Sequence, residues 1–192
     1  MEKFNNTYRI PSARATWWDY SWQGCYFITI CAAHKECIFG KIHNGHMQTS
    51  PIGEIVLREW EQSFQIRAEL FYDAFVLMPN HLHAIVRIEN SGPNVETHGR
   101  ASLQMPNKST SPIQTGIARR PSRSISSFVA GFKSTATKCV NEFRNTPKMP
   151  VWQSRFYDHI IRNEDEYQRI AHYIKTNPEK WEKDSLFKQE IP

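Results

Sequence analysis

No run of apolar residues in this chain approaches the roughly 20 that a helix needs to cross a bilayer. The first dozen residues are polar and hold no apolar segment of the kind that opens a secretory leader. These absences lead to the expectation of a soluble, cytoplasmic protein with no membrane partner. The four cysteines, Cys25, Cys31, Cys37 and Cys139, form no C-x-x-C pair and no zinc-knuckle spacing. They are read as structural thiols of a reducing compartment, with Cys25 and Cys31 in a core strand. The H-E-x-x-H pattern is missing, which argues against zinc-assisted peptide hydrolysis. There is also no internal repeat.

What remains is 192 residues, 40% hydrophobic and 12% aromatic, enough for one packed domain with an insert. The net charge of +5 says little, but its distribution is uneven. Between residues 100 and 148 there are nine basic side chains against Glu142 alone, so the rest of the chain is net acidic. A concentrated basic segment is the footprint of a polyanionic partner such as nucleic acid. Arg119, Arg120, Arg123, Lys133 and Lys138 are candidate phosphate contacts, and Trp17, Trp18 and Tyr20 candidate stacking surfaces or a lid over the core.

Residues 24–32 are rich in aromatic and β-branched side chains and predict a strand, with 37–43 as its hairpin partner. Ser50-Pro51 opens a helix whose apolar face is Ile52, Ile55, Val56, Trp60 and Phe64. Residues 71–78 and 81–88 form a central hairpin. Residues 91–121, with Pro93, Pro106, Pro112 and Pro121 among many polar residues, predict a flexible Ser/Pro-rich insert that splits one domain into 1–90 and 122–192. A helix over 122–143, a strand over 151–161, and a last helix from Asn163 to about Asn177 complete the order. Pro178 should end that helix, because the residue before a proline disfavours helical geometry. Hairpins alternating with helices predict an α+β fold of the split-βαβ, ferredoxin-like kind: an antiparallel sheet with helices on one face plus a C-terminal helix.

The most informative stretch is Leu77-Met78-Pro79-Asn80-His81-Leu82-His83. Strand side chains alternate between faces, so His81 and His83 share one side, and Leu82, Ala84 and Val86 the other. Two neighbouring imidazoles on a buried-type strand are economically explained by a divalent metal, which needs a third ligand from elsewhere. On the last helix Tyr167, Ile170, Ala171 and Ile174 form the apolar stripe, with Tyr173 at its edge and Asn177 four residues on. A phenol and an amide there could face the histidine strand across a cleft. A metal on His81, His83 and Asn177 would suit phosphodiester cleavage with Tyr173 as nucleophile. Spacing alone equally permits a packing role for Tyr173, and leaves Tyr157 and Tyr167 as rival nucleophiles. His159 reads equally as a DNA-contacting or a structural group.

His81-Leu82-His83 resembles the histidine–hydrophobic–histidine motif of HUH single-strand nucleases. Together with Trp152-Gln153, the segment Phe156-Tyr157-Asp158-His159-Ile160-Ile161-Arg162-Asn163, and His172-Tyr173-Ile174-Lys175-Thr176-Asn177-Pro178, it resembles the REP-associated tyrosine transposases of the single-tyrosine HUH superfamily. The resemblance implies Mg²⁺ or Mn²⁺ dependence and action on single-stranded DNA with hairpins or palindromic repeats. It implies Tyr173 as nucleophile, forming a 5′-phosphotyrosine intermediate, with His81, His83 and Asn177 as metal ligands. Better-known relatives carry glutamine where this chain has Asn177. It leaves open a monomer or a homodimer, and a non-catalytic binder of palindromic repeats as the alternative function. A replication initiator on the same core is disfavoured, since the chain has no room for a helicase domain.

Overall fold

The β-branched and aromatic segment Gly24–Cys31 forms strand β3, which lies inside a four-stranded antiparallel sheet in a computed structural model of the protein. The structure describes residues 3–4, 7–8, 22–89 and 123–187. A two-stranded ribbon, β1 (Lys3–Phe4) and β2 (Thr7–Tyr8), precedes β3. After it come β4 (Gly40–His43), β5 (His46–Thr49), helix α1 (Pro51–Gln65), β6 (Leu70–Met78) and β7 (His81–Ile88). Helix α2 (Ile125–Arg144), β8 (Tyr157–Ile161) and helix α3 (Glu164–Thr176) follow. The sheet order is β6-β7-β3-β8, with every neighbouring pair antiparallel. Thus β3-α1-β6 straddles β7, and β7-α2-β8 straddles β3. This is the ferredoxin-like double split βαβ that the order of elements predicts.

Alternation along the two central strands sorts the molecule into layers. Tyr26, Ile28 and Ile30 of β3 and Leu82, Ala84, Val86 and Ile88 of β7 are buried in one apolar core. Helices α1 and α2 close that core with Ile55, Val56, Trp60, Phe128, Val129, Phe132, Ala136 and Val140. Trp60 is its centre, stacked on Phe75 at 4.8 Å and edge-on to Phe132 at 5.2 Å, geometries that aromatic quadrupoles favour. The opposite sheet face carries His81 and His83, and there α3 packs across β6 and β7.

Local signals set the helix ends. Ser50 caps α1 by accepting from the Gly53 N–H at 3.1 Å, and Pro51 takes the first turn. A Cβ on Gly53 would lie 2.1 Å from the Phe39 carbonyl oxygen, so only glycine lets α1 approach this closely. Ser124 and Ser127 form a capping box at the start of α2, and Asn163 caps α3.

Three expectations are corrected. Residues 37–43 do not pair with β3; β4 pairs with β5 in a separate hairpin. The cause is Asn44-Gly45, whose φ values of 51° and 74° match the tight two-residue turn that Asn-Gly favours. The last strand covers only Tyr157–Ile161, with a lone bridge from Trp152 to Ala32 upstream. Finally, α3 ends at Thr176, where the last helix is expected to stop, but not because Pro178 unwinds Asn177, which keeps helical φ and ψ of −60° and −42° and leads into a 3₁₀ segment, Pro178–Lys183. The insert at 91–121 and Trp17, Trp18, Tyr20, Arg119 and Arg120 lie outside the described residues.

Candidate active site

Each histidine is fixed from behind. Asn80, in the β6–β7 turn, accepts from His81 Nδ1 at 2.8 Å, while its amide donates to the carbonyls of Lys35 and Leu186. Thr29 lies opposite His83 in the β3–β7 register and its hydroxyl meets His83 Nδ1 at 2.8 Å. With both Nδ1 atoms engaged, the Nε2 atoms are the free coordinating positions, and they converge to 3.0 Å. Phe27 stacks on the His83 ring at 5.3 Å, and Trp181 closes on His81 at 5.9 Å.

Helix α3 brings in the phenol and the amide. Tyr173 places its hydroxyl 3.1 Å from His83 Nε2 and 3.2 Å from Asp184 Oδ2. Asn177 is 2% exposed and donates from Nδ2 to the same Asp184 oxygen at 2.9 Å. A carboxylate only accepts, so this contact fixes which end of the amide is nitrogen. Asn177 Oδ1 is left buried with no hydrogen-bond partner among the described residues.

This donor set, imidazole nitrogens with an amide oxygen and a carboxylate nearby, fits a divalent cation. Two ligands at right angles on an octahedral ion, each about 2.1 Å away, stand roughly 3 Å apart, which matches the imidazole pair. An orphaned buried amide oxygen is a costly feature that a cation would relieve. His81, His83 and Asp184 also each present one ligand atom, all within 4.8 Å of one another. Asp184 is a neighbour of the site that the sequence did not reveal. It lies past Pro178, outside any periodic pattern, and is held by the Leu186 N–H at 2.6 Å.

Burial pushes the His81 imidazole well below its ordinary value of 6.5, and burial together with the neighbouring His81 does the same to His83. Both therefore stand neutral and ready to ligate at neutral pH. Below 6.5 the unfolded chain takes up protons that the folded chain refuses, so this part of the stability is complete above 6.5 and lost as pH falls. In chelator, the unfolding midpoint should drop more steeply between about pH 7 and pH 5 for the wild type than for His81→Ala/His83→Ala. Parallel curves would contradict neutral burial. Tyr173 is pushed up to about 12, chiefly by burial and then by the charge of Asp184 and its hydrogen bond.

The other candidate DNA contacts are not drawn to this point. Helix α2, which carries Lys133 and Lys138, packs on the sheet face opposite the histidines. Lys133 Nζ donates to the carbonyls of Gln153 and Ser154, and Lys138 pairs with Glu142 at 3.9 Å. Arg123 precedes that helix and is exposed. His159 is on β8, its Nε2 2.7 Å from Glu166 Oε1 in the first turn of α3. Of the rival tyrosines, Tyr157 projects from β8 on the histidine side, across from Phe27, while Tyr167 is half-buried on α3. Cys25 and Cys31 are half-buried free thiols on that same face, not members of the apolar core.

No family model matches the chain. An uncharacterized protein of Haemophilus influenzae is 38% identical over 176 residues, covering 92% of each chain. This chain belongs to that protein's family. The solved structure of a REP-associated tyrosine transposase bound to a REP hairpin superposes with a TM-score of 0.56 at 17% identity, over 89% of this chain and 74% of that one. The chain thus shares the fold of that transposase, and within it the paired imidazoles meet the Tyr173 hydroxyl while Asn177 donates to the Asp184 oxygen that Tyr173 also contacts.

Proposed function

We propose that the chain is a transposase-like, metal-dependent endonuclease and strand transferase acting on single-stranded DNA that carries hairpins or palindromic repeats. The observation that carries this reading is the meeting of two back-anchored imidazoles with the Tyr173 hydroxyl, 3.1 Å from His83 Nε2, beside the Asp184 carboxylate to which Asn177 donates. Its fold relative is bound to a REP hairpin, which supports DNA of that type as the substrate.

His81, His83 and Asn177 would hold a divalent cation, Mg²⁺ or Mn²⁺. When bound, it supplies Lewis acidity toward phosphate oxygens and offsets the charge that develops on them. The chain's own groups do the rest. Asp184 Oδ2, at 3.2 Å, orients the phenol and would accept its proton once His83 Nε2 is engaged as a ligand. The Tyr173 oxygen attacks phosphorus, the bond from phosphorus to the 3′ oxygen breaks, and that oxygen takes a proton from solvent. The products are a 5′-phosphotyrosine and a free 3′ hydroxyl. Because the phosphotyrosine conserves the phosphodiester's energy, attack by another 3′ hydroxyl reseals DNA and returns the phenol.

The second reading is a DNA binder of palindromic repeats that has no turnover. One experiment separates them. Labelled single strands from the DNA flanking the gene are incubated with the protein in Mn²⁺, Mg²⁺ or chelator and run on a denaturing gel. The enzyme reading expects a metal-dependent, protein-linked band. Hairpin binding with no such band under any metal would select the binder.

A further inference from the structure

Beside the metal-site side chains lies an open cleft of about 400 Å³ whose walls include Phe27, Tyr157, Tyr173, Phe156 and Arg155. Its size falls within the range of small-ligand sites. Three aromatic rings line one side in sequence. Phe27 is in the middle, its ring centre 6.1 Å from that of Tyr157 and 6.3 Å from that of Tyr173, both edge-on. Phe27 is held in place by its stack on His83, so this wall is as rigid as the histidine pair. Tyr157 is 51% exposed, an unusual position for a large ring on a sheet whose inner strands are buried. Arg155 adds a cation at the rim.

We propose that this cleft receives one unpaired nucleobase bordering the scissile phosphate, stacked against Tyr157 and Phe27. The inference rests on the function proposed above and goes beyond it by assigning a base site. The argument is positional and chemical. Any phosphate attacked by Tyr173 must lie at the Tyr173 hydroxyl, and Tyr173 is itself a wall of the cleft. A nucleotide at that phosphate therefore has its base within reach of the aromatic wall. Every base has a π-face, so such a wall binds single strands without reading hydrogen-bond edges. A paired base could not enter, which makes the cleft a filter for single-stranded DNA at the cut site.

The test uses the full chain and a flanking strand whose cut site has been mapped by adduct formation. Abasic residues replace, one at a time, the nucleotides on either side of the cut, and adduct formation is measured against DNA concentration. One of these abasic strands should raise the half-saturating concentration for the wild type by about ten- to a hundredfold. Tyr157→Ala should raise it similarly on the intact strand, with no further change on the abasic strand. Tyr157→Phe, which keeps the ring, should recover most of what alanine loses. The base site is overturned if the wild type forms adducts and either Tyr157→Ala matches it or no abasic position matters. Absence of any adduct from the wild type would sink the proposed function, and the base site with it.

Discussion

Replacing Tyr173 with phenylalanine is expected to abolish the covalent DNA adduct while leaving hairpin binding within about fivefold of wild type, since a single exposed hydrogen bond is worth only about 1 kcal/mol. The substitution removes one atom. The ring keeps its edge contact with Phe27 and its tilt against His83 at 5.2 Å, so packing is preserved. What goes is the oxygen that touches His83 Nε2 and Asp184 Oδ2. Removing the nucleophile from an enzyme of this kind typically costs on the order of 10⁴-fold or more in rate. A gel showing undiminished adduct would transfer the role to another tyrosine. Tyr157 would be the first to examine, because it lines the same cleft.

The second large effect concerns the cation. The double variant His81→Ala/His83→Ala should lose adduct formation at every Mn²⁺ concentration, since it removes both imidazoles that meet at 3.0 Å. Thr29→Val makes an informative contrast. It is close in shape but withdraws the hydroxyl that holds His83 Nδ1 at 2.8 Å, leaving both ligands in place. Loss of such an orienting partner typically weakens metal affinity or activity by about 10- to 100-fold. Raising Mn²⁺ should therefore restore much of the activity of Thr29→Val and none of the double variant. If both respond alike to added metal, the histidines do not hold the ion.

The histidine face was legible in the sequence because strand alternation is a rigid rule: Leu82, Ala84 and Val86 had to enter the core if His81 and His83 faced the other way. Two helix starts were legible too, since Ser50 and Asn163 are short polar caps with clear hydrophobic periodicity behind them, whereas α2 begins at Ile125 behind Ser124, three residues past the expected 122. Residues 37–43 were misread because apolar content outweighed the Asn44-Gly45 turn, a stronger local signal for pairing with His46–Thr49. Asp184 was invisible for a different reason. It reaches the site through a 3₁₀ turn and a backbone bond from Leu186, and no periodicity marks such a contact. The basic residues of α2 illustrate the converse: composition flagged Lys133, while its ammonium is spent on the carbonyls of Gln153 and Ser154.

In the proposed site two imidazoles, an amide oxygen and a phenol surround one cation. Anomalous diffraction from a crystal grown with Mn²⁺ tests it most directly. A single strong peak is expected within bonding distance of His81 Nε2, His83 Nε2 and Asn177 Oδ1, with the Tyr173 oxygen beside it. A peak elsewhere, or none while the imidazoles remain hydrogen-bonded to each other, would contradict it.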